Sequence, residues 1–314
     1  MVIYEMNESL TRREIMNTIV DFQQSSIANY KQITTRFDSE FGVMRTIMHA
    51  EPRPCYTTTC LNELLQHQVN IHNTKGKIVS QGKLEQINYF VLSSAAQGVF
   101  CLGGDLSLFK ELILAKDRKH LVDYGRLCID NLWLFYGTES PITTISLVEG
   151  QAMGGGFESA LSAHILIAEK SALMGLPEVL FNLFPGMGAL SHLSRKIGMP
   201  AAEKMVRSGK IYSGEELYQM GVVDVLAEDG QGEYALTNWI KKNHRSLNSF
   251  QAINRAKQRV NSLTLEELYD IVDIWADAAL RLDERNLKVM ERLVRAQNSK
   301  VSTEVSYIVE RQTA

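Results

Sequence analysis

The sequence predicts a layered α/β fold with parallel strands, on three observations. Short apolar runs bounded by turn residues, INYFVLSS at 87–94, TTISLV at 143–148 and AHILIAE at 163–169, have the pattern of buried strands. Helix-compatible sequence lies between them, so strand, helix and strand alternate as they do when parallel strands are joined by crossovers. The last third changes texture and turns to helical periodicity. In open sheets of this kind ligands collect at strand ends.

Taken in chain order, residues 12–34 place Ile15, Ile19, Val20, Phe22 and Ile27 among polar residues at roughly helical spacing, which predicts an N-terminal helix. Phe41 to His49 reads as a strand, broken by EPRPC at 51–55 before a helix that carries Leu61, Leu64 and Leu65. NTKGKIVSQGK at 73–83 reads as a polar connector. The strand at 87–94 leads to FCLGGDLSLF at 100–109, where Asp105 is placed to cap a following helix. The strands at 143–148 and 163–169 flank a glycine turn and a short helix around Ser159 to Ser162. Near the C-terminus, Thr264 and Glu267 form a capping-box pattern ahead of Leu265, Leu268, Ile271, Val272, Trp275, Ala279 and Leu282 on one helical face. That face either packs on its own domain or meets another subunit.

Composition removes several classes of function. With 314 residues, of which 45% are hydrophobic, the chain can fill a substantial core. A net charge of −3 gives no broad attraction to nucleic acid or an anionic membrane. The opening MVIYEMNESLTRRE has no apolar signal core, and no run of about 18 apolar residues occurs, so a cytoplasmic location is expected. Cys55, Cys60, Cys101 and Cys128 form no CxxC pair or zinc spacing and are expected as free thiols, with no metal site.

The chemistry points to two glutamates. Glu158 closes MGGGFE at 153–158, and Glu178 closes LPE at 176–178, 20 residues later. Successive glycines let the backbone approach a ligand and aim N–H groups at an oxygen that gains negative charge. Gly103 and Gly104 make a second such turn about 50 residues upstream, so two turns can form an oxyanion hole. Two carboxyls from separate loops can then supply an acid and a base. Nucleotide cradling is disfavoured because neither GxGxxG nor GxxxxGK[ST] is present, and GxSxG is also absent.

FCLGGDL, VEGQAMGGGFESAL at 148–161 and LMGLPEVLFNLFPGMGAL at 173–190 resemble the successive signatures of the crotonase (enoyl-CoA hydratase/isomerase) superfamily. The resemblance covers about residues 41–235 and continues in MVRSGKIYSGEELYQMGVVDVL at 205–226. It implies a ClpP/crotonase spiral of ββα units at 41–235, an N-terminal helical extension at 1–40, and a C-terminal helical region at 236–314 for oligomerisation or pocket cover. It also implies Glu158 and Glu178 as the catalytic pair and Gly104 and Gly155 as the oxyanion donors. Phe157 stands where a small residue or cysteine is common. His164 replaces a frequent aspartate and, in an apolar strand, is expected in the core. Gly103, Met153, Phe157, Leu176, Leu180, Phe181 and Leu183, all close to the motifs, are the candidate substrate contacts; Trp275 is a more distant one.

VFCLGGDLSLF, RTIMHAEPRPCYT at 45–57 and the long N-terminal extension look most like the bacterial diffusible signal factor synthases within that superfamily. That resemblance implies dehydration of a 3-hydroxyacyl thioester on acyl carrier protein and hydrolysis to a cis-2-unsaturated fatty acid. The alternatives are a CoA-dependent enoyl hydratase, with the substrate as a CoA thioester, and a scaffold that binds a cognate receptor or sensor protein. No separate cofactor is implied. A trimer or hexamer of the chain is expected on the same ground.

Overall fold

In the computed structural model, residues 30–137 and 141–295 are described. The chain opens with β1 (Ile33–Asp38), β2 (Val43–Met48) and helix α1 (Thr58–Asn73), followed by β3 (Lys77–Ser80), β4 (Lys83–Gln86), β5 (Tyr89–Ser94) and β6 (Val99–Cys101). Helices α2 (Leu106–Leu114) and α3 (Arg118–Tyr136) lead to β7 (Thr143–Val148), β8 (Gln151–Met153), α4 (Gly155–Leu161), β9 (Ile165–Glu169) and β10 (Leu173–Gly175). A 3₁₀ turn at Pro177–Phe181 precedes α5 (Ala189–Ile197), α6 (Met199–Ser208), β11 (Ile211–Ser213), α7 (Gly214–Gln219) and β12 (Val225–Ala227). Helices α8 (Gly232–Asn243), α9 (Leu247–Val260) and α10 (Leu265–Ala279) follow, with residues 284–295 also helical.

Two sheets share the strands. The larger has the order β1-β2-β5-β7-β9-β12 and the smaller β11-β10-β8-β6. From β2 to β12 the larger sheet is parallel, and β1 is antiparallel on its edge. Successive strands alternate between the sheets: β5 then β6, β7 then β8, β9 then β10. Helices complete each turn, which makes the chain a spiral of ββα units, the crotonase fold. Every residue of β7 and β9 is buried, as apolar strands covered on both faces must be. The glycine turns follow strands of the smaller sheet: Gly103 and Gly104 come after β6, and Gly154 and Gly155 after β8.

Several expectations change. Of the predicted helix at 12–34, residues 12–29 lie outside the described residues, while Ile33 and Thr34 belong to β1, so the helical extension at 1–40 does not hold for its described part. Ile33, Thr34 and Thr35 are β-branched and pair with Met48, Ile47 and Thr46. The connector at 73–83 contains most of a hairpin, β3 with β4, whose turn residues Gln81 and Gly82 both have positive φ (51° and 76°). Helix α4 starts at Gly155, earlier than expected. Thr264 does accept from Glu267 N (3.0 Å), but Glu267 turns its carboxylate to Arg195 and Ser191 rather than back to the cap, so the reciprocal box is not formed. Leu268, Val272, Trp275 and Ala279 of α10 are buried against the chain's own core.

The four cysteines are free and buried. Among the described residues no helix is long and apolar enough to cross a membrane.

Candidate active site

Glu158 lies in the first turn of α4 and is 1% exposed. Its Oε1 accepts from Met187 N (2.8 Å) and Ala189 N (3.0 Å), in the loop that starts α5. Burial raises its pKa above the ordinary carboxylate range, and the two amides oppose that rise because they favour the ionised form.

Glu178 stands in the 3₁₀ turn after Pro177. Its Oε2 is sealed from solvent and has no partner among the described residues. Burial pushes its pKa up, and the nearby charge of Glu158 pushes it further. The pair is therefore asymmetric. Amide donors hold Glu158 toward the carboxylate, while Glu178 lacks comparable donors for Oε2 and favours the carboxylic acid.

The glycine turns meet across the same space. Gly103 has φ +92°, and a Cβ there would come within 2.7 Å of Met153 O and 3.2 Å of Gly155 N. Gly103 O accepts from Tyr56 N (2.8 Å), and Asp105 N donates to Tyr124 Oη (3.1 Å). Tyr124 in turn donates to Tyr56 O, and Asp105 caps α2 through Ser107 N and Leu108 N. The groups on either side of the Gly104 amide are thus engaged, and the amide itself has no acceptor among the described residues. Gly155 N, at the start of α4, has none either. Both glycines line one cavity, where two such amides can serve a single oxygen.

A cavity of about 250 Å³ joins these groups and is largely apolar. Gly103, Gly104, Gly155, Glu158, Glu178, Met153, Leu180, Phe181, Leu183 and Trp275 line it. Phe157, on α4, and Leu176, between β10 and the 3₁₀ turn, do not: they are 0% and 1% exposed and pack in the core behind the motifs. Leu180 is 55% exposed and so stands at the mouth. His164 lies away from the cavity; its Nδ1 accepts from Thr144 N (3.0 Å), and burial lowers its pKa to about 4.

Sequence reasoning missed the opposite wall, which α1 and α3 supply through Leu61, Leu64, Gln68, Cys128, Asn131 and Phe135. A signal was present: Gln68 interrupts the helical stripe Leu61, Leu64 and Ile71, and Asn131 interrupts Cys128, Leu132 and Phe135. Burial, then the charge of Glu158, pushes the Cys128 thiol up, so it offers no thiolate nucleophile.

The crotonase spiral thus brings two buried carboxyls and two glycine turns to one cavity. Residues 82–273 match the family described as enoyl-CoA hydratase/isomerase, and the chain belongs to that family. Over 185 residues it is 30% identical to the mouse (Mus musculus) mitochondrial enoyl-CoA hydratase domain-containing protein 2, covering 56% of this chain and 60% of that one. It is 29% identical over 213 residues to the zebrafish (Danio rerio) peroxisomal bifunctional enzyme, covering 68% of this chain but 27% of that one. The chain therefore spans less than two thirds of these relatives' length. Among solved structures, Pseudomonas aeruginosa DspI superposes with a TM-score of 0.62 at 22% identity over 76% of this chain and 84% of that one. Enoyl-CoA hydratase from Bacillus halodurans gives 0.67 at 19% identity over 85% and 100%. These likenesses establish the fold.

Proposed function

We propose that the chain is a diffusible signal factor synthase, which dehydrates a 3-hydroxyacyl thioester and then hydrolyses it to a cis-2-unsaturated fatty acid. The asymmetric pair Glu158 and Glu178, facing the amides of Gly104 and Gly155 in one apolar cavity, is the observation that carries the reading. Resemblance of VFCLGGDLSLF and RTIMHAEPRPCYT to the synthase branch supports the finer assignment, with acyl carrier protein as the donor of the substrate.

The thioester oxygen accepts from Gly104 N and Gly155 N, and charge moves onto that oxygen as the α-carbon loses its proton. One carboxylate takes the α-proton. The other carboxyl gives its proton to the 3-hydroxyl as the C–O bond breaks, and water leaves. The pair begins and ends with one shared proton. In the second step a water attacks the thioester carbon and gives a proton to a carboxylate. The same amides hold the tetrahedral oxyanion, and the thiol leaves with the proton returned. Removal of one such donor costs about 2.7–4 kcal/mol in other enzymes.

Incubation with 3-hydroxyacyl thioesters, on carrier protein and on CoA, followed by mass spectrometry of released acids, tests the reading. Glu158→Gln or Glu178→Gln should abolish the free unsaturated acid from a folded protein; near-normal product from both would falsify the assignment. The relatives above favour a second reading, reversible hydration of an enoyl-CoA, and product without any free acid would select it.

A further inference from the structure

Gln68 is 7% exposed and lines the cavity from α1. Its orientation follows from its neighbour. Asn131 donates through Nδ2 to Leu61 O (3.1 Å) and Leu127 O (2.8 Å), which leaves Asn131 Oδ1 facing Gln68. Gln68 must then present its NH₂ group, and Nε2 donates to that oxygen at 2.9 Å. Gln68 Oε1 is left on the other side, sealed from solvent and without a donor among the described residues.

Its position is distal. Helix α1 starts just after Tyr56, whose backbone pairs with Gly104, and ten residues, about 15 Å at a rise of about 1.5 Å each, separate Thr58 from Gln68. Leu61, Leu64 and Phe90 line the apolar cavity on the way. Beyond Gln68 lies a second, small cavity of about 30 Å³, and both Gln68 and Phe90 face it as well.

We propose that Gln68, held by Asn131, is the floor of the acyl cavity and sets the length of chain accepted. The inference rests on the acyl-thioester reading above. Gln68 parts the two cavities and is tied to Asn131, so an alkyl end that reaches it must stop there or break that hydrogen bond and strand the buried Asn131 carbonyl. Chains therefore stop at Gln68.

The experiment measures kcat/KM for 3-hydroxyacyl thioesters of graded length with Gln68→Met, which keeps volume but removes the amide and its hold on Asn131, and Gln68→Ala, which also opens the small cavity. Wild type should show a sharp cut-off. Gln68→Met should improve the first excluded chain by roughly tenfold, the scale of one methylene in an apolar pocket. Gln68→Ala should move the cut-off by at least one further carbon. Folded variants whose length profiles coincide with wild type, or a wild type without a cut-off, overturn the proposal.

Failure of the acyl-thioester reading shows separately, as no turnover at any length. Binding of saturated fatty acids of graded length, followed by tryptophan fluorescence, then decides the role of Gln68. A cut-off that moves in the same order supports it, and an unmoved one rejects it.

Discussion

Glu178 occupies the space that any side chain at residue 154 would need: a Cβ on Gly154 would stand 2.4 Å from Glu178 Oε1. Gly154 also has φ +52° and ψ −124°, a conformation that L residues rarely adopt. Gly154→Ala should therefore combine backbone strain of about 1–3 kcal/mol with displacement of the carboxyl. We expect a loss of turnover much larger than the fall in stability explains, read by comparing kcat with the thermal midpoint.

Activity should follow a bell-shaped pH profile, because the pair works with one proton between its two carboxyls. Burial raises both groups, and the charge of Glu158 raises Glu178 further. The acid limb, where Glu158 also becomes protonated, then lies above the ordinary carboxylate range. The alkaline limb, where Glu178 loses its proton, lies higher still. A rate that stays flat from acid to alkaline pH would remove the pair from the chemistry.

Stability should respond to the same groups with opposite sign from the buried histidines. The folded carboxyls bind protons more tightly than their unfolded counterparts, so stability falls as pH rises from the ordinary glutamate value of 4.5 through their raised pKa values. Burial lowers His67, His164 and His192 to about 4 from 6.5, so the unfolded chain binds more protons in that window and stability climbs with pH across it. Glu158→Gln combined with Glu178→Gln should unmask the climb and abolish the later fall. Urea unfolding at a series of pH values checks this, and an unchanged curve would sink it.

Much of this arrangement is legible in the sequence because it depends on local chemistry. TTISLV can satisfy its apolar residues only as a covered strand, and consecutive glycines beside Glu158 mark a backbone that something must approach. What escaped depends on direction and distance. Phe157 adjoins Glu158 in sequence, yet on a helix adjacent residues point about 100° apart, so one faces the cavity and the other the core. Gln68 and Asn131 are 63 residues apart and meet only because α1 packs on α3. The hairpin at 77–86 was hidden by its polar faces, with Ile78 the buried anchor.

Arg195 clamps α5 to α10. It donates to both carboxylate oxygens of Glu267 (2.9 and 2.8 Å) and to Ser262 O, and α5 begins at the Ala189 amide that holds Glu158. The guanidinium and carboxylate side chains are 20% and 36% exposed, so solvent screens the pair. Arg195→Ala should cost about 1 kcal/mol in stability and lower kcat as the Glu158 clamp loosens. Equilibrium unfolding beside steady-state kinetics separates the two; an unchanged kcat would show that the loop holds Glu158 unaided.

Leu180 and Trp275 line one cavity but should fail differently when substituted. Leu180 is half-exposed at the mouth, so Leu180→Ser removes little buried area, and stability should stay within about 0.5 kcal/mol of wild type. A long acyl chain entering past it loses an apolar contact, so KM should rise with little change in kcat. Trp275 is 2% exposed and packs edge-on against Phe109 at 5.0 Å between ring centres. Trp275→Ala should cost about 3–5 kcal/mol and enlarge the cavity. Because Phe109 also packs against Tyr124, whose hydroxyl holds the turn at Gly104, kcat should fall together with stability. Thermal unfolding and kinetics on the two variants distinguish a mouth residue from a wall residue, and equal destabilisation by both would contradict the placement of Leu180.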